Sequence, residues 1–126
     1  MPVYCSRPTS ESDVVDGDIL GDSGPVMVMV EYRVDPARRD AFAEALERLG
    51  RTRRRDGALF WEHFIDAADP GRHIETFIAE NWTEHMRQHE RATLADRALE
   101  EELRAFQVGD MAPLVTHLVS ARRRSL

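Results

Sequence analysis

The chain has 126 residues, 17 basic and 23 acidic side chains, a formal net charge of −6 and one cysteine. That length suits one domain with a core of its own, and the acidic balance excludes nucleic acid as the main partner, because phosphate neutralisation needs a continuous basic surface. The lone Cys5 builds no intrachain disulfide, and no apolar run approaches a bilayer span or forms a signal peptide, so the expectation is an unsecreted, cytoplasmic protein.

Residues 1–25 are polar and acidic, with Glu11, Asp13, Asp16, Asp18 and Asp22 spaced among Gly, Ser and Pro. They carry too little apolar surface to offset the entropy of ordering and read as a disordered arm. The acids lack the D-x-D-x-D-G order of a calcium loop, and no metal is assigned to them. Val26 to Val34 alternates β-branched residues with Met, Glu and Arg, which predicts a strand with a Val/Tyr face and a Met/Glu/Arg face. Asp35-Pro36 then starts a helix whose buried stripe is Phe42, Ala45, Leu46 and Leu49, amphipathic through about Arg53. Arg51, Arg53, Arg54 and Arg55 sit at its C-terminus, where cations meet the negative end of the dipole, and are read as structural rather than as a phosphate patch.

Asp56-Gly57 is a turn. Ala58 to Asp66 follows as a second strand, with Leu59, Trp61, His63 and Ile65 on one face and Phe60, Glu62 and Phe64 on the other. Ala67 to Arg72 reads as a short connection, and His73 to Glu80 as a third strand in a hairpin with the second. A helix from Trp82 to about Ala92 comes next, then a further helical stretch opened by Thr93-x-x-Asp96, with Leu99, Leu103 and Phe106 as its apolar stripe. Pro113 to Ala121 is the last strand, and residues 122–126 form a basic tail that reads as a solvated end.

Aromatic, imidazole and amide side chains gather most densely in Glu80–Arg91. On a helix, Trp82, His85, Met86 and His89 form one inward stripe, while Glu84, Arg87, Gln88 and Arg91 take the wet side. Asn81 is both a ligand-binding candidate and, with Glu84 three residues on, a helix cap; capping is the stronger reading. Trp61 and His63 on the second strand join Trp82, His85 and His89 as side chains that a cavity between helix and sheet would bring together. A zinc site on His85 and His89 needs another ligand such as His63 or His117, and no metal is assigned.

The order strand, helix, strand, strand, helix, strand predicts an α+β, ferredoxin-like βαββαβ domain over residues 26–121, a four-stranded antiparallel sheet with its helices on one face. The strands are apolar on both sides, so a second copy packing sheet against sheet is expected, giving a homodimer.

The runs E-Y-R-V-D-P, D-G-A-L-F-W-E-H-F-I-D-A-A-D-P, I-E-T-F-I-A-E-N-W-T-E-H-M-R-Q-H-E-R-A-T and A-D-R-A-L-E-E resemble a dimeric α+β-barrel domain of the antibiotic-biosynthesis-monooxygenase type. They resemble more closely the soluble C-terminal domain of certain major-facilitator-superfamily exporters, of the transmembrane secretion effector type, over about residues 25–121. The resemblance implies a ligand-binding or regulatory dimer linked to export of small hydrophobic compounds, meeting a membrane only through a fused or neighbouring transporter. It implies as the alternative a monooxygenase that uses no metal, flavin or other cofactor and acts on an aromatic or polyketide-like substrate. Trp82 matches a Trp that often follows the third strand in such enzymes, and His89 a His of the next helix. Related haem-degrading barrels carry an Asn on the first strand where this chain has Glu31, Tyr32 and Arg33. A shared fold does not decide between binder and enzyme, and the catalytic residues stay unassigned.

Overall fold

The computed structural model describes residues 21–121. Residues 1–20 of the arm expected over residues 1–25, and the tail at 122–126, lie outside the described residues. Four strands, β1 (Val26–Arg33), β2 (Phe60–Asp66), β3 (Asp69–Ala79) and β4 (Leu114–Val119), form one sheet. Its order is β2-β3-β1-β4, with every neighbouring pair antiparallel. The helices are α1 (Arg39–Arg55) in the first crossover and α2 (Trp82–Glu90) and α3 (Leu94–Arg104) in the second. This is the expected ferredoxin-like α+β architecture. One chain supplies an open sheet and no closed barrel, because neither edge strand finds a further partner among the described residues.

Local chemistry places each start. The Asp35 side chain accepts from the Ala37 N–H at 3.0 Å, and Pro36 begins a 3-10 turn over Pro36–Arg38. The regular helix therefore starts at Arg39, later than Asp35-Pro36 suggests, because the cap and the proline set a tighter first turn. The β2–β3 connection is shorter than the expected 67–72 loop, for only Ala67 and Ala68 turn and β3 already begins at Asp69. Asp66 and Asp69 take the N–H groups of Ala68 and Gly71 on their own carboxylates, so two side chains stand in for a longer loop. At the second crossover Asn81 accepts from Glu84 N–H at 2.8 Å, and Thr93 and Asp96 form a reciprocal capping box. Both caps follow the sequence signals.

Between sheet and helices lies the core. Val26, Val28, Val30 and Tyr32 of β1 are buried beneath Phe42, Ala45, Leu46 and Leu49 of α1, with Phe77, Leu103 and Phe106 completing the cluster. Full burial of each large aliphatic or aromatic side chain contributes about 1.5–3 kcal/mol, so this stripe supplies most of the hold of α1 on the sheet. Gly50, mid-helix in α1, is where Trp61 crosses: a Cβ there would lie 2.7 Å from the indole ring. The other sheet face is uncovered. Phe60, Phe64, Leu114 and Leu118 are 42%, 50%, 62% and 47% exposed, and with Met27, Met29, Ile74 and Ile78 they make a continuous apolar surface. Phe77 of β3 and Val119 of β4 belong to the helix side.

An alanine normally gains about 1 kcal/mol over glycine inside a helix. Gly50→Ala should nonetheless lower the melting temperature and change the near-UV circular dichroism of Trp61, because the new methyl takes the space of the ring. A higher melting temperature with an unchanged spectrum would show that the ring gives way freely.

Candidate functional site

The inner face of the sheet carries a fully buried carboxylate. Alternation along β3 points His73, Glu75, Phe77 and Ala79 at the helices, and Glu75 has no solvent exposure. It accepts from Arg53 Nε at 2.9 Å and Nη2 at 3.3 Å, and from Trp61 Nε1 at 2.9 Å. The Arg53 guanidinium also lies 4.2 Å from the centre of the Phe77 ring. One acid thus joins the end of α1, the edge strand β2 and the central strand β3. Nearby Tyr32 is fully buried, and burial, reinforced by the Glu75 charge, raises its phenol well above the ordinary range. Sequence reasoning misses both Tyr32 and Glu75. Ile74, Thr76 and Ile78 make the opposite face of β3 the more apolar one, so alternation alone points the wrong way.

Above Phe77, between α1, α2 and α3, lies a small enclosed cavity of about 20 Å³, room for about one water. Thr52, Arg53, Asp56, His85, Gln88, His89, Asp96 and Glu100 provide its polar lining. Asp96 is buried, and burial pushes its carboxyl up, but the Thr93 N–H and the Arg55 guanidinium outweigh this and hold it below the ordinary value. Gln88 lines this cavity with a buried amide nitrogen, a correction to its expected place on the wet side. The reason is the neighbouring C-terminus of α1, which covers a flank of α2 that an isolated helix would leave in water.

His85 is the one α2 residue among those described that is fully buried. Its ring meets His117 of β4 at 5.0 Å and Trp82 at 5.3 Å, and Trp82 also meets His117 at 5.8 Å. Burial, with smaller contributions from His117, Arg53 and His89, lowers the His85 pKa to about 3, so at neutral pH it is an uncharged imidazole.

The sequence candidates therefore divide by place. His85 and His89 share the cavity, with Trp82 against His85. Asn81 caps α2. Trp61 lies on the far side of Glu75, its ring 5.1 Å from the Arg54 guanidinium. His63 is further off still, paired with His73 through ring nitrogens 2.8 Å apart and packed on Phe42. The two rings have centroids 5.1 Å apart, about the separation of imidazoles meeting end to end, so the contact is a head-on hydrogen bond. Burial lowers the pKa of both. Among the described residues no three His, Cys, Asp or Glu side chains converge as a metal site.

The model of the family described as transmembrane secretion effector matches residues 4–125. No curated protein matches the chain. Solved structures do. A candidate antibiotic biosynthesis monooxygenase from Caulobacter crescentus CB15 is 16% identical with a TM-score of 0.66, over 80% of this chain and 93% of that one. Rv0793 from Mycobacterium tuberculosis is 17% identical with a TM-score of 0.63, over 81% and 100%. SnoaB, a cofactor-independent oxygenase from Streptomyces nogalater, is 15% identical with a TM-score of 0.57, over 80% and 95%. At these identities the likeness is one of fold.

Two measurements probe this interior. Removing one partner of a buried ion pair costs roughly 3 to 5 kcal/mol, so Glu75→Ala should lose stability on that scale in urea melts, and Glu75→Gln less. A loss within the range of a surface pair would place the Glu75 carboxylate in contact with water. The second is pH. The unfolded chain protonates His85 near the ordinary value of 6.5, the folded chain only near 3. Between these values the unfolded state holds the extra proton, so this stability is complete above pH 6.5 and is lost as pH falls, by up to about 1.4 kcal/mol per pH unit. His63 and His73, also lowered, act in the same direction. Urea melts from pH 7 to 4.5 should show the decline, and His85→Phe should flatten it; an unchanged slope in that variant would assign the decline to other groups.

Proposed function

Because the chain belongs to the transmembrane secretion effector family, we propose that it is a dimeric ligand-binding or regulatory domain related to the soluble C-terminal domain of major-facilitator exporters. It recognises small hydrophobic or aromatic compounds and works on the cytoplasmic side of a fused or neighbouring transporter. Among the described residues no helix is long and apolar enough to cross a membrane. The observation that carries the reading is the make-up of the α2 cavity. Of its ionic lining groups, Arg53 pairs with Glu75 behind the wall, Asp56 and Asp96 both pair with Arg55, and Glu100 adds a buried carboxylate. α2 adds the uncharged His85 imidazole, the His89 ring and the Gln88 amide, beside the Phe77 ring. Such a lining recognises a planar molecule by stacking and hydrogen bonding. Of the candidates, His85, His89 and Trp82 contact the ligand and Asn81 holds their helix, while Trp61 and His63 stand apart from the cavity.

The dimer forms through the open sheet face, where Phe60, Phe64, Met27, Met29, Ile74 and Ile78 border an apolar groove of about 490 Å³. An apolar face of this extent is rarely left in water. The alternative is a cofactor-independent monooxygenase; SnoaB is described as a cofactor-independent oxygenase. It draws on the shared fold and on Trp82 packed at a tilt against the cavity histidine.

Sedimentation equilibrium at micromolar concentration should give twice the chain mass, and Phe64→Asp should give a folded monomer, because a charge would be buried without a partner. A monodisperse wild-type monomer would sink the dimer. Titration with planar hydrophobic compounds, read by Trp fluorescence, should saturate in the wild type and fail in a folded His89→Ala variant. Oxygen uptake with a bound compound and no added cofactor would favour the enzyme instead.

A further inference from the structure

The cavity is too small for any aromatic molecule, so a ligand needs α2 to move, and α2 is held in an unusual way. Apart from His85 its side chains are half-buried or exposed. Its C-terminal end is tied by Arg91, whose Nη1 donates to the Asp56 carbonyl at 2.5 Å and to Glu84 at 2.7 Å. Its N-terminal end is tied from outside the βαββαβ unit. The Ser23 carbonyl accepts from Trp82 N–H and the Gly21 carbonyl from Thr83 N–H, each at 2.9 Å. These are first-turn donors that a helix cannot satisfy by itself. Beyond Gly24, Pro25 takes the Ser120 N–H on its carbonyl, also at 2.9 Å, fixing the segment to the end of β4.

Close approach makes this contact specific. A Cβ on Gly24 would fall 2.5 Å from the Glu80 carbonyl oxygen and 2.7 Å from Asn81 Cα, backbone atoms that cannot turn aside. A Cβ on Gly21 would crowd only the Thr83 side chain, whose hydroxyl can rotate away. Glycine at position 24 lets the segment lie flat on the β3–α2 junction. An element with little buried apolar area and ties at its two ends is the sort that opens on its own, below the global unfolding free energy.

We propose that residues 21–24 are a strap that clamps the first turn of α2 over the cavity, so that release of this segment opens the cavity and the N-terminal region thereby controls ligand entry. The strap and α2 move as one unit while the sheet and α1 stay in place. The consequence for ligands rests on the pocket function proposed above; the clamp itself needs no ligand.

Amide hydrogen exchange by mass spectrometry and NMR on the intact chain tests it. In Gly24→Ala the amides of Trp82 and Thr83, and with them the rest of α2, should exchange about ten- to a hundredfold faster, the change expected on releasing two hydrogen bonds of ordinary net strength. Those of β1 and β3 should keep their wild-type protection, and Gly21→Ala should behave as the wild type. Unchanged α2 exchange in Gly24→Ala would overturn the proposal, as would equal loss across α2 and sheet. Should Gly24→Ala not fold, wild-type exchange in increasing sub-denaturing urea tests the same point: Trp82 and Thr83 amides should open together with α2 before β1, and opening only with β1 overturns the clamp. If α2 loosens as described and compounds bind Gly24→Ala no better than the wild type, control of ligand entry by the strap is overturned; if no compound binds either protein, the clamp stands and the pocket function falls.

Discussion

The rest of the structure leans on one buried carboxylate. Glu75 sits fully buried in the central part of the sheet, where Arg53 and the Trp61 indole both reach its carboxyl group and offset the cost of taking it out of water. Those partners come from the last turns of α1 and from the edge strand β2. Satisfying the charge therefore sets the axial position of α1 over the sheet and fixes which face of β2 turns inward. Gly50 belongs to the same device, since the indole can reach Glu75 only by crossing α1 where no side chain stands.

From that arrangement follows the unequal hold on the helices. α1 is bound by a full apolar stripe and by the ion pair, whereas α2 is bound by one buried imidazole, the half-buried Trp82 ring, one arginine and the backbone of Gly21 and Ser23. The His85 ring under α2 stays neutral because burial opposes its charging. Acid acts on α2 and on the His63–His73 pair through the same desolvation, at opposite ends of one sheet.

The two faces of the sheet do different jobs for different physical reasons. The inner face mixes Glu75, His73 and His117 among its valines, and every such group is answered by a helix side chain or another ring, which makes this face specific. The outer face is mostly apolar, with Glu62 between Phe60 and Phe64 on the edge strand and the ion pairs at one end, where Arg72 bridges Glu31 and Asp66 and Arg33 meets Asp69. Such a surface suits association, with the charged rim setting register.

Elements and their order were legible in the chain because they depend on local rules. The alternation of Val26 to Arg33, the stripe Phe42, Ala45, Leu46 and Leu49, the Asn81 cap and the Thr93–Asp96 box each need only neighbours a few residues away. The inward aim of Trp82, His85 and His89 followed from helical spacing alone. What the tertiary structure decided was which polar groups meet. The face of β3 that carries Ile74 and Ile78 is the more apolar, so alternation points Ile74 rather than Glu75 inward; Arg53, 22 residues distant, reverses that. Gln88 left the wet side of its helix because α1 covers that flank. His63 parted from His85 because β2 and α2 meet different ends of the sheet, and residues 21–24 lie against the first turn of α2 only because Gly24 fits closely on the backbone of Glu80 and Asn81.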